Sequence, residues 1–183
     1  MEITETRLEG VKCVRLAVHG DARGWFLESF QAARYAQHLT GKAVFVQGNS
    51  SYSSARVVRG LHYQLRRPQG KLVRVLHGEI LDVTVDVRRG SSQFGQSQSV
   101  RLSASGFCQL WVPPGYAHGF AVVGDEALVE YKCTDVYVPG DEVCLRWDDP
   151  ALNIDWGVLD PVVSDKDRGG LSLAELVAQN KVF

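Results

Sequence analysis

The chain has 183 residues, enough for one domain with a full core, and its 45% hydrophobic and 22% charged residues are ordinary for a soluble globular protein. A net charge of −1 gives no global pull toward nucleic acid or an anionic membrane, so any basic character must be local. Cys13, Cys108, Cys133 and Cys144 form no Cys-x-x-Cys pair, Met1–Thr6 lacks signal-peptide regions, and no run approaches membrane-spanning length; free thiols in the cytoplasm are expected.

Most of the chain reads as strand, punctuated by Gly and Pro about every ten residues. Val14, Leu16 and Val18 alternate before the turn Gly20–Gly24, and Trp25 to Phe30 reads as the returning strand. Gln31 to Leu39 predicts a short helix stopped by Gly41. Val44 to Gln47 opens another strand, and the polar run Gly48 to Ala55 reads as a loop. Lys71 to His77 and Ile80 to Val87 predict a hairpin around Gly78. In its second arm Leu81, Val83, Val85 and Val87 share one face, leaving Asp82, Thr84 and Asp86 on the other. Further strands are expected at Ser97–Leu102, Cys108–Val112, Gly119–Val123, Ala127–Thr134 and Glu142–Trp147. Ser172-Leu173-Ala174-Glu175 is a capping-box pattern opening a last helix. With no repeat or linker, residues 1–183 read as a single all-β sandwich or barrel with a few short peripheral helices.

Four clusters hold chemistry-bearing residues. Arg59, His62 and Lys71 sit within one 13-residue window of strand-like sequence, with His62 between a strand end and a loop. Strands of this kind normally bury apolar side chains, so a general base beside an anionic ligand is a reason for these three. Lys71 shares a face with Val73, where a lysine either snorkels to the rim or meets an anion. A Pro-Gly turn at 114–115 delivers His118 onto a strand whose same face carries Phe120 and Val122. Tyr131 lies opposite Glu130 and Lys132 across its strand, and Ser164–Arg168 reads as a charged loop. Singly, each has a bland reading: structural histidines, a strand tyrosine, a solvated loop. Together they make an acid/base inventory.

The pattern Pro113-x-Gly115-x-x-His118 resembles the second half of the cupin signature. The first half would need His-x-His, and here the residues are His62-Tyr63-Gln64, so those motifs do not assemble a three-histidine metal site. His77, placed at a turn, is a poor substitute. A metal-free cupin is expected.

Six ordered segments carry a more specific resemblance. Arg59–Gln64, Gln69–Val75, Gln109–Pro113, Ala117–Phe120, Tyr131–Asp135 and Ser164–Asp167 resemble the dTDP-4-dehydrorhamnose 3,5-epimerase family, from about Asp21 to Asp167. The resemblance implies a cupin-like jelly roll, a homodimer, no metal and no cofactor. The implied substrate is dTDP-4-dehydro-6-deoxy-D-glucose, epimerised at C3 and C5 to dTDP-4-dehydro-L-rhamnose. By the same resemblance His62 is the base and Asp167 its paired carboxylate, while Tyr131 is the acid on the opposite face and Lys71 stabilises the enolate. Arg23, Phe26, Glu28, Gln47, Asn49, Arg59, His118, Tyr137, Glu142 and Lys166 fall at substrate-binding positions. Arg23, Arg59 and Lys166 suit a diphosphate, and Phe26 and Tyr137 a thymine ring. From alternation, Asp82 is expected to orient His118.

The sequence departs from the family's pattern at Gly48, at Ser53–Val57 and at Gly169-Gly170-Leu171, none of them a catalytic position. Epimerisation at C3 only or C5 only of a related 4-keto-6-deoxy nucleotide sugar is the alternative. A non-catalytic nucleotide-sugar-binding jelly roll, which has no use for the acid/base set, and a metal-dependent cupin, disfavoured by Gln64, stand behind it.

Overall fold

The computed structural model describes residues 1–41 and 43–183. Twelve strands carry the architecture: β1 Glu2–Glu5, β2 Lys12–Arg15, β3 Val18–Asp21, β4 Gly24–Leu27, β5 Gln47–Ser54, β6 Val57–Gln64, β7 Lys71–Asp86, β8 Ser97–Ser103, β9 Cys108–Val112, β10 Tyr116–Cys133, β11 Glu142–Cys144 and β12 Val162–Val163. Three short α-helices accompany them: α1 Ala32–Tyr35, α2 Asp165–Arg168 and α3 Leu173–Ala178.

The long strands β7 and β10 run antiparallel and are shared between two sheets. The first part of β7 pairs with β9, and the second part of β10 pairs with β5. Beyond the bend, the second part of β7 pairs with β8 and the first part of β10 with β6, which carries β11 and β12 on its other edge. Strands that switch sheets at a bend close a jelly-roll sandwich.

Alternation along these strands sorts side chains into an interior and two outer layers. Val73, Val75, Phe120, Val122 and Val129 pack inside with Leu110 and Val112. On one outer face Val83, Val85, Ala117 and Ala121 are covered by the C-terminal segment through Leu152, Trp156 and Leu176. On the other, Leu72, Trp111 and Val14 are covered by Tyr35 of α1. Each such buried aliphatic side chain contributes about 1.5–3 kcal/mol of transfer free energy.

Several expected boundaries shift. Gly48 to Ala55 is not a loop: β5 pairs with β10 over eight residues, and its polar side chains suit a strand whose faces meet solvent and a polar cavity. No hairpin forms at Gly78. The residue bends a continuous β7, with φ +76° and a Cβ position only 1.9 Å from the Glu126 carbonyl oxygen, a site open to glycine alone. For the same reason the strands expected at 119–123 and 127–134 are one strand, bulged where it faces that bend. His77 therefore lies within β7 rather than at a turn, paired with Glu126 at 3.2 Å.

The returning strand ends at Leu27, and Glu142–Trp147 is shortened to Cys144 with a single bridge at Leu145. The helix expected from Gln31 is α1 followed by a wider turn over Ala36–Thr40, with the Gln31 side chain as its N-cap and Gly41 as its end. Ser172 and Glu175 form both bonds of the capping box. Among the described residues, no helix is long and apolar enough to cross a membrane.

Candidate active site

The interior of the jelly roll is apolar at one end and polar at the other. His62 lies inside β6, not at a strand end, and is directly paired with His118 of β10. This pairing depends on a close approach of the two backbones just beside it. A Cβ on Gly60, where φ is +122°, would lie 2.6 Å from the Gly119 Cα, and one on Gly119 would lie 2.4 Å from the Arg59 carbonyl oxygen. Two glycines thus bring the histidines together.

Asp167 reaches the pocket from α2, whose first turn is capped by the Ser164 hydroxyl accepting from the Asp167 amide. Asp167 Oδ1 is 2.6 Å from His62 Nε2, and Oδ2 accepts from the Gly60 amide at 3.2 Å. Burial would raise the Asp167 carboxyl, but the His62 hydrogen bond and the Gly60 amide hold it below the usual carboxylate range. In the tautomer with its proton on Nε2, His62 donates to Asp167 and carries its lone pair on Nδ1. That nitrogen stands 3.9 Å from Glu142 Oε1, whose partner oxygen is 2.7 Å from Lys166 Nζ.

Lys71, at the start of β7, donates to the His62 carbonyl oxygen at 3.3 Å. Its ammonium is lowered from the ordinary lysine value by burial, against the pull of Cys133, Glu142 and Asp82. Tyr131, from the far half of β10, is raised by burial and then by Cys133 and Glu142, so the phenol keeps its proton at neutral pH. His118 Nε2 is 2.8 Å from Asp82 Oδ2. Asp82 is fully buried and its other oxygen has no partner among the described residues; burial raises this carboxyl despite His118 and Lys71.

One pocket therefore gathers Arg59, His62, Lys71, His118, Tyr131, Glu142, Lys166 and Asp167. Arg59 is held by Ser53 Oγ and the Tyr52 carbonyl. The mouth of the pocket continues past Gln47, Asn49 and Tyr137, tied together by the Tyr137 amide donating to Gln47 and by Gln47 donating to Asn49. Gln64 turns away: its amide donates to the Arg67 and Val136 carbonyls and accepts from the Val138 amide, fixing the loop over the pocket's edge.

Arg23, Phe26 and Glu28 are not brought to this pocket. Arg23 pairs with Asp21 at 2.5 Å on the separate β3–β4 hairpin, Phe26 is 71% exposed there, and Glu28 pairs with Arg34. Sequence reasoning missed Ser51, Gln69 and Ser164 in the walls and Cys144, which pairs with His62 across the sheet and donates to Asp167. Ser51 follows Asn49 by two residues, a signal that shows only when β5 is recognised as a strand.

A basic, acid/base-lined cavity with two histidine–carboxylate pairs is equipped to take a proton from carbon and to stabilise the negative charge left behind. Residues 5–175 match the family model described as dTDP-4-dehydrorhamnose 3,5-epimerase. A dTDP-4-dehydrorhamnose 3,5-epimerase of Pseudomonas aeruginosa is 46% identical over 96% of this chain and 97% of its own length. Another, of Neisseria gonorrhoeae, is 47% identical over 96% of this chain, which spans 53% of that relative's length. Among solved structures, a dTDP-6-deoxy-D-glucose-3,5-epimerase from Legionella pneumophila in complex with dTDP-4-keto-L-rhamnose is 45% identical, with a TM-score of 0.93 over 97% of this chain and 95% of that one.

Proposed function

Because the chain belongs to the dTDP-4-dehydrorhamnose 3,5-epimerase family, we propose that it inverts C3 and C5 of dTDP-4-dehydro-6-deoxy-D-glucose, giving dTDP-4-dehydro-L-rhamnose in the cytoplasm. The observation that carries this reading is the 2.6 Å contact between His62 Nε2 and Asp167 in a pocket shared with Lys71 and Tyr131. A C–H beside a ketone is a weak acid, and its conjugate base persists only as an enolate with charge on the ketone oxygen. His62 Nδ1 takes the proton, and Asp167 stabilises the imidazolium that forms. The Lys71 ammonium, with His118 held by Asp82, faces the oxygen where charge develops. Tyr131 returns a proton from the opposite face, which inverts the carbon.

Arg59 and Lys166 meet the diphosphate, while Gln47, Asn49 and Tyr137 line the way to the nucleoside. Glu142 holds Lys166 in place. The reaction is redox-neutral and calls for no redox cofactor. The same reading has the enzyme act as a homodimer, in which Arg23, Phe26 and Glu28 complete the partner copy's site; the exposed hairpin that carries Arg23 and Phe26, with Glu28 just past its end, supports this.

Incubation with the 4-keto sugar nucleotide in D2O and excess chelator tests the reading. Deuterium at both C3 and C5 of the inverted product is expected. Label at one carbon means a single-centre epimerase, and no label at either carbon overturns the enzymatic reading in favour of a binding protein.

A further inference from the structure

Cys144 is absent from the chemistry above, yet it sits against the base. On β11 it is directly paired with His62 of β6, and its half-buried thiol donates to Asp167 Oδ1 at 3.8 Å. His62, Asp167 and Cys144 each offer one ligand atom, and the three atoms lie within 4.8 Å of one another. We propose that His62 Nε2, Asp167 Oδ1 and Cys144 Sγ form a capture site for a zinc-class divalent cation that switches the base off.

Imidazole nitrogen, carboxylate oxygen and thiolate sulfur are the donor types that zinc takes, at about 2.0 Å to nitrogen and oxygen and about 2.3 Å to sulfur. Three protein ligands leave a fourth position for water. A tetrahedral ion needs His62 Nε2 and Asp167 Oδ1 to move apart by roughly 0.7 Å from their present contact, a side-chain rotation at each. Hard cations such as magnesium prefer an all-oxygen octahedron and are excluded by the donor set.

The consequence follows from proton bookkeeping. Without metal, neutral His62 carries its proton on Nε2, given to Asp167, and its lone pair on Nδ1. Zinc takes the Nε2 lone pair, the ring proton moves to Nδ1, and the thiol proton leaves to solvent, one proton released per ion bound. His62 then has no free lone pair toward the substrate. Cys144 does not line the pocket that holds Arg59 and Tyr131, so turnover is lost while substrate binding is kept. Only this inhibitory half rests on the reading of His62 as the base; capture of the ion does not.

Cobalt(II) titration of the metal-free protein should give a thiolate-to-cobalt charge-transfer band that zinc bleaches and magnesium does not. In Cys144→Ser and Cys144→Ala, proteins that keep metal-free activity, the band should vanish. Zinc should lower kcat of the wild type at least about tenfold with KM unchanged, and either variant should need at least about tenfold more zinc for half inhibition. Absence of the band, or its survival in both Cys144 variants, overturns the site. A band without loss of kcat overturns the switch, and a fall in affinity for substrate in place of kcat places the ion elsewhere. If the protein shows no turnover even without metal, the epimerase reading fails while the band still decides the site.

Discussion

His62–Asp167 and His118–Asp82 are the same two residue types at nearly the same distance, 2.6 and 2.8 Å, on neighbouring strands of one pocket, yet their surroundings separate them. Asp167 comes from a short helix at the pocket edge, and against its burial the His62 hydrogen bond, with a second bond from the Gly60 amide, holds its carboxyl below the ordinary value. Asp82 lies on β7 inside the sandwich with one oxygen unpartnered among the described residues, and burial raises it. The first pair keeps its carboxylate charged beside the ring, as the proposed base requires. The second is built into the fold and positions a ring. Distance alone does not distinguish a base from a scaffold; the remaining lone pairs of the carboxylate do.

The largest expected difference between the pairs is in turnover. His62→Asn should lower kcat by about 10²–10⁴-fold, the usual worth of a general base, with dTDP binding by calorimetry little changed. His118→Asn should cost less, about tenfold to 10²-fold, because Lys71 remains at the developing oxyanion. Equal losses would erase the distinction. Asp167→Asn and Asp82→Asn should move stability in opposite directions. A carboxyl lowered in the fold stabilises above its unfolded value of 3.8 and loses that contribution as pH falls, so Asp167→Asn should destabilise at pH 7. A carboxyl raised in the fold stabilises while protonated and loses that contribution as pH rises past 3.8, so Asp82→Asn should stabilise at pH 7. Urea unfolding at pH 7 reads both changes, and shifts of the same sign would contradict the assignment.

The smallest effect is in the alkaline limb of kcat. Lys71 loses its charge below the ordinary lysine value of 10.5, whereas Tyr131 ionises above the ordinary tyrosine value of 10.0. A limb set by Lys71 is expected to keep its position in Tyr131→Phe, read in a pH profile of residual exchange, and a moved limb would assign it to Tyr131 instead.

Much of this pocket was legible because each key residue sits in a short segment whose neighbours fix its direction. Lys71 shares a face with Val73, and Asp82 alternates with Leu81 and Val83, so both point to the interior once the strand is recognised. Strand continuity was not legible. Gly78 and the run Gly124-Asp125-Glu126 carry turn chemistry, and only the facing bends of β7 and β10 show that the strands pass through them. The polar strand β5 was hidden for a related reason: its Asn49 and Ser51 serve a cavity and its other face is solvated, so no apolar alternation marks it. Cys144 was missed because β11 meets His62 across a pairing no local pattern encodes. Arg23, Phe26 and Glu28 are the reverse case: their positions were named by resemblance, and their hairpin stands apart from the pocket within one chain.

The proposed inversion needs a base and an acid acting on opposite faces of the same carbon. Deuterium wash-in with Tyr131→Phe tests it most directly, reading label and configuration together at C3 and C5. The expected result is label entering recovered substrate with configuration retained, because His62 returns the deuteron to the face it came from. Inverted, labelled product at the wild-type rate, or the same retained exchange in His62→Asn, would contradict it.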